Sequence, residues 1–164
     1  LLEPFHCEVS AYSPHCPDEI FQRLRIRRVT DLKKLYAEND IISVHAAKTP
    51  ENYHIVNREI LAAMKDGAVL VNTARGSIID TDALVAELKT GRIYAALDVF
   101  EEEPLPVNHP LRGLENCQLI PHHGGPTPDQ RRFLGDIAVE NVERYARGEP
   151  VKYRITPEMY DLMT

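Results

Sequence analysis

Ala68-Val69-Leu70-Val71-Asn72-Thr73-Ala74-Arg75-Gly76 splits into two halves of opposite character. The first half is apolar on consecutive positions, as expected of a strand covered on both faces rather than a half-solvated one. The second half turns abruptly polar and ends on glycine. The same change recurs along the chain. Apolar runs over residues 8–12, 41–45, 68–72, 94–99 and 118–120 each give way to polar residues or to proline and glycine.

Helical patterns fill the intervals. Residues 31–37 fit a short helix with Thr30 as its N-cap. Asn57 is placed to cap a helix over 58–65, with Gly67 after its end. Asp80 or Thr81 starts another that runs to Lys89 and closes at Gly91, with Leu84, Val85 and Leu88 on one face. A long helix spans 128–147, stopped by Gly148 and Pro150. Its Phe133, Ile137, Val142 and Tyr145 come close to a helical spacing of three to four residues. Strands alternating with helices predict right-handed βαβ units and a doubly wound parallel sheet, with helices on both sides in a three-layer arrangement.

Ligands bind such sheets at the carboxyl ends of the strands. The residues to inspect are therefore 12–14, 45–47, 72–76, 98–100 and 121–125. Three side chains there carry chemistry. Arg75 offers a guanidinium able to grip a carboxylate with two parallel bonds. His122 is a base that works near neutral pH. Glu103 is an acidic partner that could orient such a base. Singly, each fits a blander role: a loop arginine, one acid in the run Glu101-Glu102-Glu103, a solvated histidine. Jointly they supply what oxidation of a hydroxy acid needs, apart from a hydride acceptor, which no side chain provides.

Bulk properties narrow the classes. The chain has 164 residues, 43% hydrophobic, with a net charge of -6, enough for one domain with a real core. The negative balance argues against nucleic acid or acidic membrane surfaces as partners. The three cysteines, Cys7, Cys16 and Cys117, give no disulfide framework and point to a reducing, cytoplasmic setting. Cys7 and Cys16, with His6 and His15, lack the spacing of a zinc site, so no metal is expected. No apolar stretch approaches the roughly 18 residues of a membrane span. The opening Leu1-Leu2-Glu3-Pro4-Phe5 has neither an initiator methionine nor a helix start, which predicts a fragment of something longer.

Several segments, in this order, resemble the D-isomer-specific 2-hydroxyacid dehydrogenase family: Ile42-Ser43-Val44-His45, Thr49-Pro50-Glu51, Val71-Asn72-Thr73-Ala74-Arg75-Gly76, Ala96-Leu97-Asp98-Val99-Phe100, Glu103-Pro104-Leu105-Pro106 and Pro121-His122. The resemblance runs from about Val9 to Pro150. It implies a partial Rossmann-type domain over residues 1–126 that lacks its first βα unit. The helix and tail over 127–164 would return to a substrate domain. Arg75 would bind the substrate carboxylate, and Glu103 and His122 would form the acid–base pair. Asp98 would bond the nicotinamide carboxamide. Thr73, Ala74, Gly124 and Gly125 would line the nicotinamide pocket, and Arg75 and His122 would border it. Ala46 would lie on the adenosine side. The implied substrate is a small 2-hydroxy or 2-oxo acid, and the implied assembly a homodimer through the cofactor domain.

Departures from the family pattern also carry meaning. Ser13 stands where an aspartate normally grips the adenine ribose, which opens the site to NADP as well as NAD. Arg23, Arg25, Arg27 and Arg28 follow, and a solvated helix face is the simplest expectation for them. Ala47 stands where the family has proline. The glycine-rich phosphate turn would fall before Leu1, so the 164 residues alone are expected to be weakly active or inactive. Two alternatives accompany the enzyme: a nucleotide-sensing protein of the co-repressor kind, and an inactive fragment.

Overall fold

The computed structural model describes residues 2–160. Strands β1 (Ser10–Ala11) and β2 (Arg27–Arg28) pair in parallel as one short sheet. Strands β3 (Ile41–Val44), β4 (Val69–Asn72), β5 (Tyr94–Leu97) and β6 (Cys117–Leu119) form a second, all-parallel sheet in that order. Helix α1 (Asp18–Leu24) joins the first two strands, and α2 (Leu32–Glu38) leads from one sheet to the other. Helices α3 (Arg58–Ala62) and α4 (Thr81–Lys89) are the crossovers to β4 and β5. Helices α5 (Pro128–Ala146) and α6 (Pro157–Tyr160) follow the sheet. This is the expected α/β, Rossmann-like arrangement.

The register explains which residues are buried. Ile42 lies beside Leu70, and Leu70 beside Ala95; Val44 lies beside Asn72, and Asn72 beside Leu97. These residues are all buried, packed with Leu61, Leu84, Leu88 and Ile93 under α2, α3 and α4. Each fully buried aliphatic side chain of this kind contributes about 1.5–3 kcal/mol. The opposite face carries Ile41, Val69 and Tyr94 in one row, and Ser43, Val71, Ala96 and Gln118 in the next. Ile41 is 69% exposed and Tyr94 51% exposed, so this face is only partly covered by the described residues. Continuous apolarity in β3 and β4 predicted two covered faces; one of them is closed here.

Helix boundaries differ from expectation in ways the side chains explain. Asp31, not Thr30, caps α2: its carboxylate accepts the Lys33 and Lys34 N–H groups at 2.9 and 3.3 Å. Asn57 caps α3 as expected, with Glu59 and Ile60 as its donors. That helix stops at Ala62 rather than residue 65. The Arg92 guanidinium reaches in from the start of β5, takes the Leu61 and Ala62 carbonyls at 3.1 and 3.4 Å, and also bonds that of Met64. Those carbonyls would otherwise accept from the next helical turn. Between the candidates for α4, Asp80 is the cap, accepting from the Ala83 N–H at 3.0 Å.

Two segments depart further. Only Arg23 of the arginine run lies on a helix; Arg27 and Arg28 form β2. Arg28 lies over the Phe21 ring, 4.9 Å from its centroid, bonds the Ser13 and Cys16 carbonyls at 3.3 and 3.2 Å and pairs with Asp18. A guanidinium with five donors suits a turn full of carbonyl groups better than open solvent does. On α5, Phe133, Val142 and Tyr145 are 62%, 70% and 81% exposed, and no residue of the helix is buried. Phe133 and Val142 are nine residues apart and lie on opposite sides of the helix, so Phe133, Ile137, Val142 and Tyr145 do not form one continuous apolar face. Among the described residues no helix is long and apolar enough to cross a membrane, and no cluster of His, Cys, Asp or Glu is arranged to hold a metal.

Candidate active site

The carboxyl ends of β4, β5 and β6 converge. From β4 the chain enters the turn Asn72-Thr73-Ala74-Arg75. Asn72 is 1% exposed and uses both ends of its amide there. Its Oδ1 accepts the Ala74 N–H at 3.0 Å, and its Nδ2 donates to the Arg75 carbonyl at 2.9 Å. This local closure of a turn is characteristic asparagine chemistry. It fixes the backbone from which the Arg75 side chain leaves. Sequence reading singled out the arginine and passed over the asparagine. An asparagine ending a buried apolar run was the available signal, since a buried amide needs partners. Asn72→Ala leaves the buried Ala74 N–H unpartnered, while the Arg75 carbonyl keeps the Ile78 N–H at 3.4 Å, and is expected to lower stability by about 1–3 kcal/mol, measured by urea unfolding.

Gly76 brings the second strand end against the first. A Cβ built there would overlap the Phe100 carbonyl and the Glu101 nitrogen. The turn after β4 and the loop after β5 therefore touch backbone to backbone, which only glycine permits. Gly76→Ala is expected to cost about 1–3 kcal/mol as an overpacking change and to displace residues 100–103. Thermal unfolding together with amide chemical shifts of that loop would check both effects.

Asp98 follows β5 and is 4% exposed. Three consecutive N–H groups of the loop after β6 converge on it. His122 donates to the Asp98 carbonyl at 2.8 Å. His123 and Gly124 donate to its Oδ1 and Oδ2 at 2.7 and 2.8 Å. A Cβ on Gly124 would sit 2.6 Å from that Oδ2, so the close approach requires glycine. The resemblance assigned Asp98 to a cofactor carboxamide; here its carboxylate holds the loop that carries His122. The His122 backbone sits at φ 53, in the left-handed region that non-glycine residues seldom occupy. Such conformations cost of order 1–3 kcal/mol, persist where the surroundings dictate them, and gather at functional sites.

With both loops fixed, His122 Nδ1 and Glu103 Oε2 lie 2.7 Å apart. The other Glu103 oxygen accepts the Phe100 N–H at 2.9 Å, closing the turn that carries it. Partial burial pushes the Glu103 carboxyl up. The hydrogen bonds from His122 and Phe100 outweigh this, together with the nearby charges of His122 and Arg75, and hold it below the usual carboxylate range. Glu103 is thus ionised at neutral pH. It accepts the proton of Nδ1 and leaves Nε2 as the basic nitrogen of the ring. Arg75 reaches Glu103 as a charge, and its Nη1 bonds the Ala74 carbonyl at 2.7 Å. The three residues singled out for chemistry share one site.

The remaining positions divide. Thr73 is exposed at the turn and Ala74 is buried beneath it. Gly124 and Gly125 lie exposed on the His122 loop. Ala46 packs against the core after β3, and Ser13 follows β1, its carbonyl held by Arg28. Among the described residues Ser13 makes no side-chain hydrogen bond to Arg75, Glu103 or His122; Ser13 follows β1 and Ala46 follows β3, which belong to different sheets.

The family described as "D-isomer specific 2-hydroxyacid dehydrogenase, NAD binding domain" matches residues 1–124. The chain is 48% identical over 121 residues to a glyoxylate reductase of Thermofilum pendens, covering 73% of this chain and 36% of that protein. It is 40% identical over 146 residues to a D-3-phosphoglycerate dehydrogenase of Methanocaldococcus jannaschii, covering 88% of this chain and 28% of that one. Among solved structures, a D-isomer specific 2-hydroxyacid dehydrogenase of Xanthobacter autotrophicus in complex with NADPH and MES superposes with a TM-score of 0.79 at 33% identity. That match covers 96% of this chain and 49% of that one. The chain spans about a third of the length of the two relatives named first. A parallel sheet whose strand ends gather an arginine, a glutamate and a histidine, together with a family match over three quarters of its length, makes this chain a member of the D-isomer specific 2-hydroxyacid dehydrogenases, within their NAD-binding domain.

Proposed function

We propose that the chain supplies the cofactor side and the acid–base pair of an oxidoreductase acting on a small 2-hydroxy or 2-oxo acid. The observation that carries this is the 2.7 Å His122–Glu103 pair at the carboxyl end of a parallel sheet, with the Arg75 charge beside it. A bound nicotinamide dinucleotide would supply the two-electron hydride exchange. The convergent ends of β4, β5 and β6 fit such a group, because ligands of parallel sheets sit there. Thr73, Ala74, Gly124 and Gly125 would border the nicotinamide, Asp98 its carboxamide, and Ala46 and Ser13 the adenosine half.

The protein's part is proton transfer and orientation. Nε2 of His122 would remove the hydroxyl proton of a 2-hydroxy acid, or return it to a 2-oxo acid. Glu103 would hold the ring in the right tautomer and stabilise its charged form. Arg75 would hold the substrate carboxylate and polarise the reacting oxygen. Ser13 removes the carboxylate that would repel a 2′-phosphate, so both NAD and NADP are candidates. Residues 127–164 are proposed to return to a substrate domain, consistent with the exposed Phe133, Val142 and Tyr145 of α5. A cytoplasmic homodimer is the proposed setting.

The test is calorimetric binding of NADH and NADPH, followed by reduction of glyoxylate, pyruvate and hydroxypyruvate. It is run on the 164 residues alone and on a protein that joins them to a phosphate turn and a substrate domain. Turnover is expected from the joined protein and little from the 164 residues. Nucleotide binding without turnover in the joined protein would sink the enzyme and favour a nucleotide sensor.

A further inference from the structure

Beside the candidate site three loops are fastened together. Residues 54–56 are zipped to residues 77–80 by backbone bonds: His54 N–H to the Ser77 carbonyl at 2.9 Å, Val56 N–H to Ile78 at 3.1 Å, and Asp80 N–H to Val56 at 3.0 Å. The third loop, residues 100–103, joins both through one side chain. Glu101 Oε1 accepts the Tyr53 hydroxyl at 3.1 Å and lies 3.0 Å from His54 Nε2. Its Oε2 accepts the Thr81 hydroxyl at 3.1 Å, at the start of α4. The Tyr53 and His54 rings stack with centroids 3.9 Å apart, so the two partners meet the carboxylate as a unit. His54 is held at φ 51, another left-handed non-glycine residue, with its backbone anchored to Ser77.

We propose that Glu101 is a positioning residue, which together with Tyr53, His54 and Thr81 fixes the turn over residues 100–103 and so sets Glu103 against His122. In sequence Glu101, Glu102 and Glu103 form one acidic run, for which a solvated turn is the ordinary expectation. The structure separates them. Glu103 faces His122, Glu101 faces the other two loops, and no side-chain hydrogen bond is formed by Glu102 among the described residues. Alternate members of the run thus point to opposite sides of one turn, with the Phe100 N–H to Glu103 bond between them. Gly76 packs against the same Phe100–Glu101 peptide, so the turn is gripped from the side of Arg75 as well. A misplaced acid–base pair is costly, since errors of about 1 Å in such geometry reduce rates by about a hundredfold. The hydrogen bond to Glu101, with a little burial and the charges of Glu101 and Asp80, holds the Tyr53 phenol above its usual range.

The catalytic meaning of this device rests on the proposed acid–base role of Glu103; the device itself does not. The experiment therefore reads titrations rather than turnover. Glutamate carboxyl carbons and tyrosine ring carbons of the 164-residue chain are followed by NMR against pH in wild type, Glu101→Ala, Glu101→Gln and Glu102→Ala. In Glu101→Ala the Tyr53 midpoint is expected to fall toward the ordinary phenol range and the Glu103 midpoint to rise toward the ordinary carboxylate range. Glu101→Gln, which keeps an acceptor oxygen but no charge, should lower Tyr53 and restore much of the Glu103 midpoint. Glu102→Ala should move neither. If Glu101→Ala fails to fold, Glu101→Gln still has to lower Tyr53. An unchanged Tyr53 midpoint in the folded variants would show the contact is not made in solution. A lowered Tyr53 midpoint with Glu103 unmoved in Glu101→Ala would show that the contact does not position Glu103. Either result overturns the proposal. Failure of the oxidoreductase function would instead appear as absent turnover with these titrations as expected.

Discussion

His122→Ala is expected to lower kcat by about 100- to 10,000-fold in a protein that joins this chain to a phosphate turn and a substrate domain, while the dissociation constant for NADH stays unchanged. The size follows from losing a positioned general base. The selectivity follows from how the site is built. The loop after β6 is held by backbone N–H groups of residues 122–124 on Asp98, and none of those bonds uses the imidazole. Removing the ring leaves the loop in place. Folding should also be nearly unaffected, because the pair with Glu103 is half-exposed and such pairs add little stability. Left-handed backbone at position 122 suits alanine somewhat less well than histidine, which is enriched in that region, so a small loss of stability accompanies the change. Stopped-flow hydride transfer and calorimetric NADH binding provide the two readouts. Equal losses in both would contradict the role of base.

The consecutive apolarity of residues 69–71 and the polar switch at Asn72 were enough to locate β4 and the turn after it that carries Arg75. The same rule located β3, β5 and β6, because a buried strand announces itself through burial, the strongest signal in a sequence. Strand β2 was not legible, where a helix face was expected, and the reason is physical. Residues 18–28 are rich in charge, and Arg28 is used inward against the carbonyls of residues 13–16, a partnership between segments that periodicity does not register. The end of α3 was misplaced for a related reason: Arg92, thirty residues away, takes the carbonyls of Leu61 and Ala62. Arg75, Glu103 and His122 could be named from their places at strand ends and from the family resemblance. The supports for these residues could not. Asn72, Asp98 and Glu101 act through bonds to backbone or to distant loops, and nothing in their residue type distinguishes a buried clamp from a loop asparagine or a solvated acid. Asp98 makes the difference plain. Its proposed role toward a nicotinamide carboxamide came from the resemblance; that its carboxylate also holds the loop carrying His122 did not.

Arg75→Ala should reduce kcat/KM for glyoxylate and hydroxypyruvate by about 100- to 1,000-fold, through both a higher KM and a lower kcat. Both parameters should move because a carboxylate clamp acts in the bound substrate and a polarising charge acts in the transition state. The structure leaves the guanidinium available for this: of its five donors, one Nη1 bond goes to the Ala74 carbonyl. Arg75→Lys keeps the charge and loses the planar fork, so it should recover only part of the activity. The same substitution carries an internal control. The Arg75 charge contributes to holding Glu103 low, so Arg75→Ala should raise the Glu103 midpoint, whereas Arg75→Lys should not. Carboxylate binding and the effect on Glu103 can then be told apart with a neutral 2-oxo analogue that lacks the carboxylate. If the guanidinium binds the carboxylate, that analogue should be a poor substrate of the wild type and should lose less in Arg75→Ala than the charged acid does. If the loss is the same for the charged acid and the neutral analogue, Arg75 acts through the reacting oxygen or through Glu103, and the carboxylate must be held by another residue.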